Sequence, residues 1–168
     1  MPDTKERSVI SRLSERAVRI LAVRDHSEVE LRRKLSLPAT LLTASRVPEF
    51  DAPSQEQIDQ IVAWCYEHCY LDDAHFAERY VASYSRKGYG RQRIRRGLSE
   101  KGISQETSNE VLATAEIDWC RKAYEVAERK FGLPLPSLWK ERVKVQRYLM
   151  MKGYLTEDIH GIYSNFEN

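Results

Sequence analysis

Apolar residues recur every three or four positions along most of this chain, the spacing of one buried face on an α-helix. From about Ile10 to Arg24, Leu13, Ala17, Ile20 and Leu21 form such a stripe, and residues 1–9, which lie outside it, are expected to be frayed. Ser27 and Glu30 have the spacing of a capping box, so a second helix starts there with Leu31 and Leu35 facing inward. Residues 36–54 hold three prolines and no clean period, which predicts a long loop. A third helix follows from Gln55 to His68, aligning Ile58, Ile61, Val62, Cys65 and Cys69 and burying Trp64.

Asp72 and Asp73 open a fourth helix, where carboxylates suit the positive end of the dipole. Phe76, Ala77, Tyr80, Val81 and Tyr84 are its apolar side, and Gly88 and Gly90 end it. A fifth begins near Arg91, with Ile94 and Leu98 pointing inward, and Ser104 caps a sixth through Val111 and Leu112. The seventh is expected from about Glu116 to Phe131, stopped by Gly132, Pro134 and Pro136. An eighth, near Ser137 to Lys152, is expected to bury Leu138, Trp139, Val145 and Leu149. The ninth starts at about Thr156 and carries Ile159, Ile162, Tyr163 and Phe166. Nine helices and no strand-like alternation predict an all-α fold.

The helices repeat in threes. A shift of 63 superposes Ser27 on Gly90, Leu31 on Ile94, Arg32 on Arg95, Arg33 on Arg96 and Leu35 on Leu98. A shift of 51 superposes Ile94 on Val145, Arg96 on Arg147, Leu98 on Leu149, Lys101 on Lys152 and Gly102 on Gly153. The expected organisation is therefore three tandem three-helix repeats over residues 10–70, 71–115 and 116–168, forming an elongated, curved body. The leucines share a packing role. An arginine at 33, 96 and 147 has no such structural need and suggests one basic flank presented three times.

Charge sharpens this picture locally. With 27 basic and 25 acidic residues in 168, the net charge is +2, so any polyanion site must be a patch. Residues 86–102, RKGYGRQRIRRGLSEKG, supply one: Arg86, Lys87, Arg91, Arg93, Arg95 and Arg96 precede the first acid, Glu100. A short helix that anchors two aliphatics and fans out guanidiniums suits a polyanion or an acidic protein surface. Arg32, Arg33, Lys101, Arg147 and Lys152 extend the set through the repeat. Tyr84 and Tyr89 border the basic run and are candidates for stacking, whereas Tyr80 is expected to pack.

Catalytic patterns are missing. His26, His68, His75 and His160 are scattered, and Gly88-Tyr89-Gly90 lacks the Gly-Lys-Ser/Thr of a phosphate loop. Cys65, His68 and Cys69 have no second ligand pair, so reduced thiols are expected rather than a metal site, and capping accounts for Asp72 and Asp73. No apolar run approaches the roughly 20 residues of a membrane span, and MPDTKERS lacks the apolar core of a signal peptide, which points to the cytoplasm. The stripes are consumed by packing within one chain, which points to a monomer.

RDHSEVELRRKL (24–35), YLDDAHFA (70–77), SRKGYG (85–90), LSEKGIS (98–104) and KGYLTEDI (152–159) resemble the RecX family, regulators of the RecA recombinase. The match runs in order through nearly the whole chain. The resemblance implies three helical repeats and a non-enzymatic protein without cofactor that binds the RecA filament on DNA. There it would block extension and inhibit ATP hydrolysis, strand exchange and coprotease activity, modulating recombinational repair and the SOS response. Single- and double-stranded DNA would be weaker partners or be reached through RecA. Two positions depart from the pattern: Cys69 stands where the family usually has glycine, and Gly97 where the basic helix commonly carries Glu. A left-handed backbone would strain Cys69 by about 1 kcal/mol. Read from the residues alone, a stand-alone DNA-binding helical module acting through its basic helix is the alternative; a helix-turn-helix repressor fits less well, because its recognition helix would exist in three copies.

Overall fold

The structure, a computed structural model, describes residues 4–37 and 52–166. Among the described residues there are nine α-helices and no strand. They are α1 (Thr4–Val23), α2 (Glu28–Ser36), α3 (Gln55–Glu67), α4 (Asp73–Arg86), α5 (Arg91–Glu100), α6 (Gln105–Thr114), α7 (Trp119–Phe131), α8 (Trp139–Lys152) and α9 (Thr156–Asn165). Most of the expected 36–54 loop lies outside the described residues. The chain forms two compact units, the first comprising Met1–Phe76 with Lys101–Ile103, the second Ala77–Glu100 with Ser104–Asn168.

In the first unit α1 packs on α2 and α3. Leu13, Ala17, Leu31, Leu35, Ile58, Ile61, Val62, Cys65 and Leu71 make its core, with Trp64 half-buried against it. The capping box at α2 is present: Ser27 Oγ accepts the Glu30 N–H at 3.2 Å, and the Glu30 carboxylate accepts the Ser27 N–H at 3.5 Å. Ser54 and Gln57 build a second box at α3. The helix α1 begins at Thr4, which corrects the expectation of a frayed segment through residue 9. Its first turns carry polar residues, so no stripe marks them, yet Val9 and Ile10 pack on the core.

The end of α3 explains the odd residue of the family pattern. Cys69 has φ 59, its N–H bonds the Tyr66 carbonyl at 3.1 Å, and the Tyr70 N–H reaches the Cys65 carbonyl at 2.8 Å. These are the two bonds of a Schellman closure, which places the left-handed residue just beyond the helix. Cys69 is thereby exposed, correcting its expected place on the buried stripe. Asp72 caps α4 by accepting the His75 N–H at 3.1 Å. Asp73 instead accepts the Glu28 N–H at 2.8 Å, tying the first turn of α2 to the start of α4.

In the second unit α5 packs on α6, and α7 packs on α8 and α9. Ile94, Leu98, Val145 and Leu149, the positions paired by the repeat, are all buried. Ser104 caps α6 as expected. Two expectations are corrected. The helix α7 starts at Trp119 behind an Asp118 cap, not at Glu116, because Asp118 accepts the Arg121 N–H at 3.1 Å. Leu138 and Trp139 are 69% and 77% exposed rather than buried. Leu138 is the extended N-cap of α8, and Trp139 lies six residues before Val145, off its helical face. Leu135, at 3% exposure, is buried instead.

Candidate functional site

The placement of the basic helix α5 begins with glycines. The Gly90 N–H donates to the Lys152 carbonyl at 2.8 Å, and the Gln92 N–H to the Gly153 carbonyl at 2.9 Å. A Cβ on Gly90 would collide with the backbone of Gly153 and Tyr154. Gly153 itself is left-handed at φ 99, and a Cβ there would run into Arg93. Two backbones thus meet where only glycine allows it. The Tyr154 hydroxyl donates to the Gly88 carbonyl at 2.9 Å, and burial pushes its phenol above the ordinary tyrosine range. Arg91 completes the joint through one guanidinium nitrogen, 2.9 and 3.1 Å from the two oxygens of the buried Asp158 carboxylate. The start of α5 is held by backbone bonds and a half-buried ion pair before any exposed arginine is considered.

Arg93, Arg95 and Arg96 then project from the exposed faces while Ile94 and Leu98 are 1% and 0% exposed. Arg96 lies 3.6 Å from Glu100, one helical turn on, with both side chains largely in solvent, so the pair contributes little. Aromatic rings border this surface. The Arg93 guanidinium sits 4.2 Å from the Tyr89 ring centroid, with Lys152 at 5.0 Å from the same ring. Lys87 lies 4.6 Å from the Tyr84 ring, which stacks on Tyr80 at 4.1 Å. Such cation–ring pairs hold long side chains in place at modest energy. Gly97 has a packing reason: a Cβ there would strike the Tyr80 hydroxyl, so its absence lets the phenol lie across the helix. Burial, the neighbouring Tyr84 and Glu100 push the Tyr80 phenol up to about 12, which keeps it protonated.

The sequence-derived candidates therefore divide. Within the second unit the structure brings together Lys87, Arg93 and Lys152 with Tyr84 and Tyr89. Arg86, Arg95 and Arg147 are exposed, and Arg86 Nε donates back to the Ala82 carbonyl at 3.2 Å. Arg91 serves the joint, its guanidinium held by Asp158. In the first unit Arg33 is exposed, whereas Arg32 is spent on Glu28 at 3.0 Å and Asp59 at 2.5 Å. Lys101 reaches Glu30 at 3.5 Å, and its carbonyl accepts the Ser27 hydroxyl at 2.5 Å. Ser27 and Lys101 thus repeat the Gly90–Lys152 contact at the positions that the two shifts superpose. Sequence reasoning missed Tyr148, whose ring lies 5.6 Å from both Lys130 and Lys152. Its spacing of four from Lys152 on one helix was the available signal. No group of three or more His, Cys, Asp or Glu among the described residues is placed to hold a metal ion. No helix among them is long and apolar enough to cross a membrane.

Comparison with known proteins places this arrangement. Residues 72–112 match the family model of the second three-helix domain of RecX, and residues 116–162 that of the third. The regulatory protein RecX of Cronobacter sakazakii is 53% identical over 164 residues, covering 98% of each chain. That of Escherichia coli O1:K1 is 51% identical over 163 residues, covering 97% of this chain and 96% of that protein. The crystal structure of RecX from Lactobacillus salivarius shares the fold at a TM-score of 0.77 and 21% identity, over 94% of this chain and 96% of that one. A crystal structure of a regulatory protein RecX has a TM-score of 0.73 at 19% identity, over 98% of this chain and 79% of that one. Full-length similarity to these regulatory proteins, with both domain models matched in order, means that the chain belongs to the RecX family.

Proposed function

We propose that this protein regulates the RecA recombinase by binding its filament on DNA and restraining it. In this reading it blocks filament extension and lowers ATP hydrolysis, strand exchange and coprotease activity, and so modulates recombinational repair and the SOS response. It acts by binding, not by catalysis, and meets DNA weakly or through the filament. The observation that carries the reading is that Arg93, Arg95 and Arg96 stand on the exposed faces of one short helix whose Ile94 and Leu98 are buried. Three guanidiniums on one short helix suit a polyanion or an acidic protein surface, and the Tyr89 ring holds Arg93 in place. Kinship to the regulatory proteins RecX supports RecA as the partner.

Replacing Arg93, Arg95 and Arg96 together with Ala tests it. Folding should be nearly unchanged, because exposed charges contribute little and alanine favours helix. Inhibition of RecA ATPase should fall by about tenfold or more, an effect within the range of interface arginines. If these residues hold phosphates, the slope of log affinity for naked DNA against log salt should also flatten by roughly 2–3. Unchanged naked-DNA binding with lost inhibition would place the patch against protein. A folded triple variant that inhibits at the wild-type concentration would make the helix a solvated face and end the proposal.

A further inference from the structure

Beside the basic helix the second unit has a groove of about 500 Å³, lined chiefly by Tyr80, Tyr84, Arg93, Arg96, Met150 and Met151. Met150 and Met151 are 56% and 63% exposed at the end of α8, although the buried face of that helix is already set by Val145 and Leu149. The Met150 carbonyl accepts the Gly153 N–H at 3.0 Å, but neither methionine side chain belongs to the buried core. We propose that this groove docks a protein segment carrying an apolar anchor flanked by carboxylates. The inference rests on the reading above and deepens it by naming where the partner protein, rather than DNA, is gripped.

The lining decides between the two classes of partner. Tyrosine, methionine and arginine are enriched at protein–protein contacts, where lysine and glutamate are depleted. Two tyrosines, two methionines and two arginines line this groove against a single glutamate, Glu100, and no lysine, although Lys87 and Lys152 are close by on the rings of Tyr84 and Tyr89. A phosphate-tracking groove has no use for two adjacent thioethers. An apolar side chain does, since methionine adapts its shape to irregular partners. Charge fixes the flanks: Arg93 and Arg96 line the same groove, and Glu100 already sets a carboxylate 3.6 Å from Arg96. An acidic residue of the partner would take that position, with Glu100 released to solvent. Tyr80 and Tyr84, stacked at 4.1 Å, give the anchor a flat wall with little rotamer freedom to lose.

The double variant Met150→Lys, Met151→Lys separates the possibilities, because it removes the apolar floor while adding positive charge. Both positions are exposed and lysine is a good helix former, so the thermal melt should match wild type. The expected result is an about tenfold rise in the concentration that half-inhibits RecA ATPase on single-stranded DNA, with affinity for naked single-stranded DNA unchanged or higher. The pair Met150→Leu, Met151→Leu should keep wild-type inhibition. Equal inhibition by wild type and the lysine variant would overturn the docking groove and leave the proposed function standing. Tighter binding of the lysine variant to both naked DNA and filament would overturn it in favour of a nucleic-acid surface. A wild-type protein without effect on RecA would overturn the functional reading and the groove together.

Discussion

Glu30 is the acid whose removal the structure prices most directly. Its side chain is 9% exposed and receives Arg24 at 2.7 Å and Lys101 at 3.5 Å. Burial alone would raise its pKa, but the hydrogen bond from Arg24 and the charges of Lys101 and Arg24 outweigh that and lower it from 4.5 to about 2. Taken at face value this is about 3 kcal/mol of pairing at neutral pH. The Arg24 side chain is 49% exposed, so solvent screening reduces the expectation to about 1–2 kcal/mol. Glu30→Gln isolates the charge, because Gln57 fills the same capping-box position in α3 with its amide oxygen 2.9 Å from the Ser54 N–H. The folded-state pKa lies below the unfolded one, so the stability it confers is complete above about pH 4.5 and is lost as the pH falls towards 2. Urea denaturation should therefore show wild type about 1–2 kcal/mol more stable than Glu30→Gln at pH 7, the gap shrinking to under about half by pH 3. An equal gap at both pH values, or none at either, would refute the electrostatic account.

Two further substitutions probe backbone geometry. Cys69→Gly should raise stability by up to about 1 kcal/mol in a thermal melt, since glycine accepts φ 59 without strain; clear destabilisation would mean the thiol packs usefully after all. Gly90→Ala should cost more than about 2 kcal/mol, because the added methyl meets the backbone of Gly153 and Tyr154, which cannot rotate aside; a melt within a degree of wild type would show that the joint yields.

What could be read from the sequence was whatever neighbours in the chain decide. Ser27 with Glu30, Ser104, and the stripe of Ile94 and Leu98 depend on residues three or four apart, and all three form as spacing predicts. The repeat could be read for the same reason, since each copy restates one packing solution. Arg91 was illegible as a structural residue because Asp158 lies 67 positions away, and nothing local distinguishes its guanidinium from that of Arg95. By propensity alone a glycine at 97 weakens its helix, and only the fold brings the Tyr80 hydroxyl to the space that a side chain there would fill. Leu138 and Trp139 misled because a hydrophobic residue at a helix start reads like a continuation of the stripe, whereas the extended N-cap turns it outward. The groove was invisible for a related reason: the methionines and tyrosines that line it come from α8 and α4, and only the fold makes them neighbours.

The joint at Gly90 also offers a clock. First-turn amides of a helix have no acceptor within their own helix and exchange their hydrogens with solvent readily. The amides of Gly90 and Gln92 depart from that rule, because their acceptors are carbonyls of Lys152 and Gly153. Their exchange in deuterated water is limited by separation of these two segments and not by fraying of α5. Followed by NMR, these two amides time the opening of the joint, while those of Ile94 and its successors time the unwinding of the helix itself.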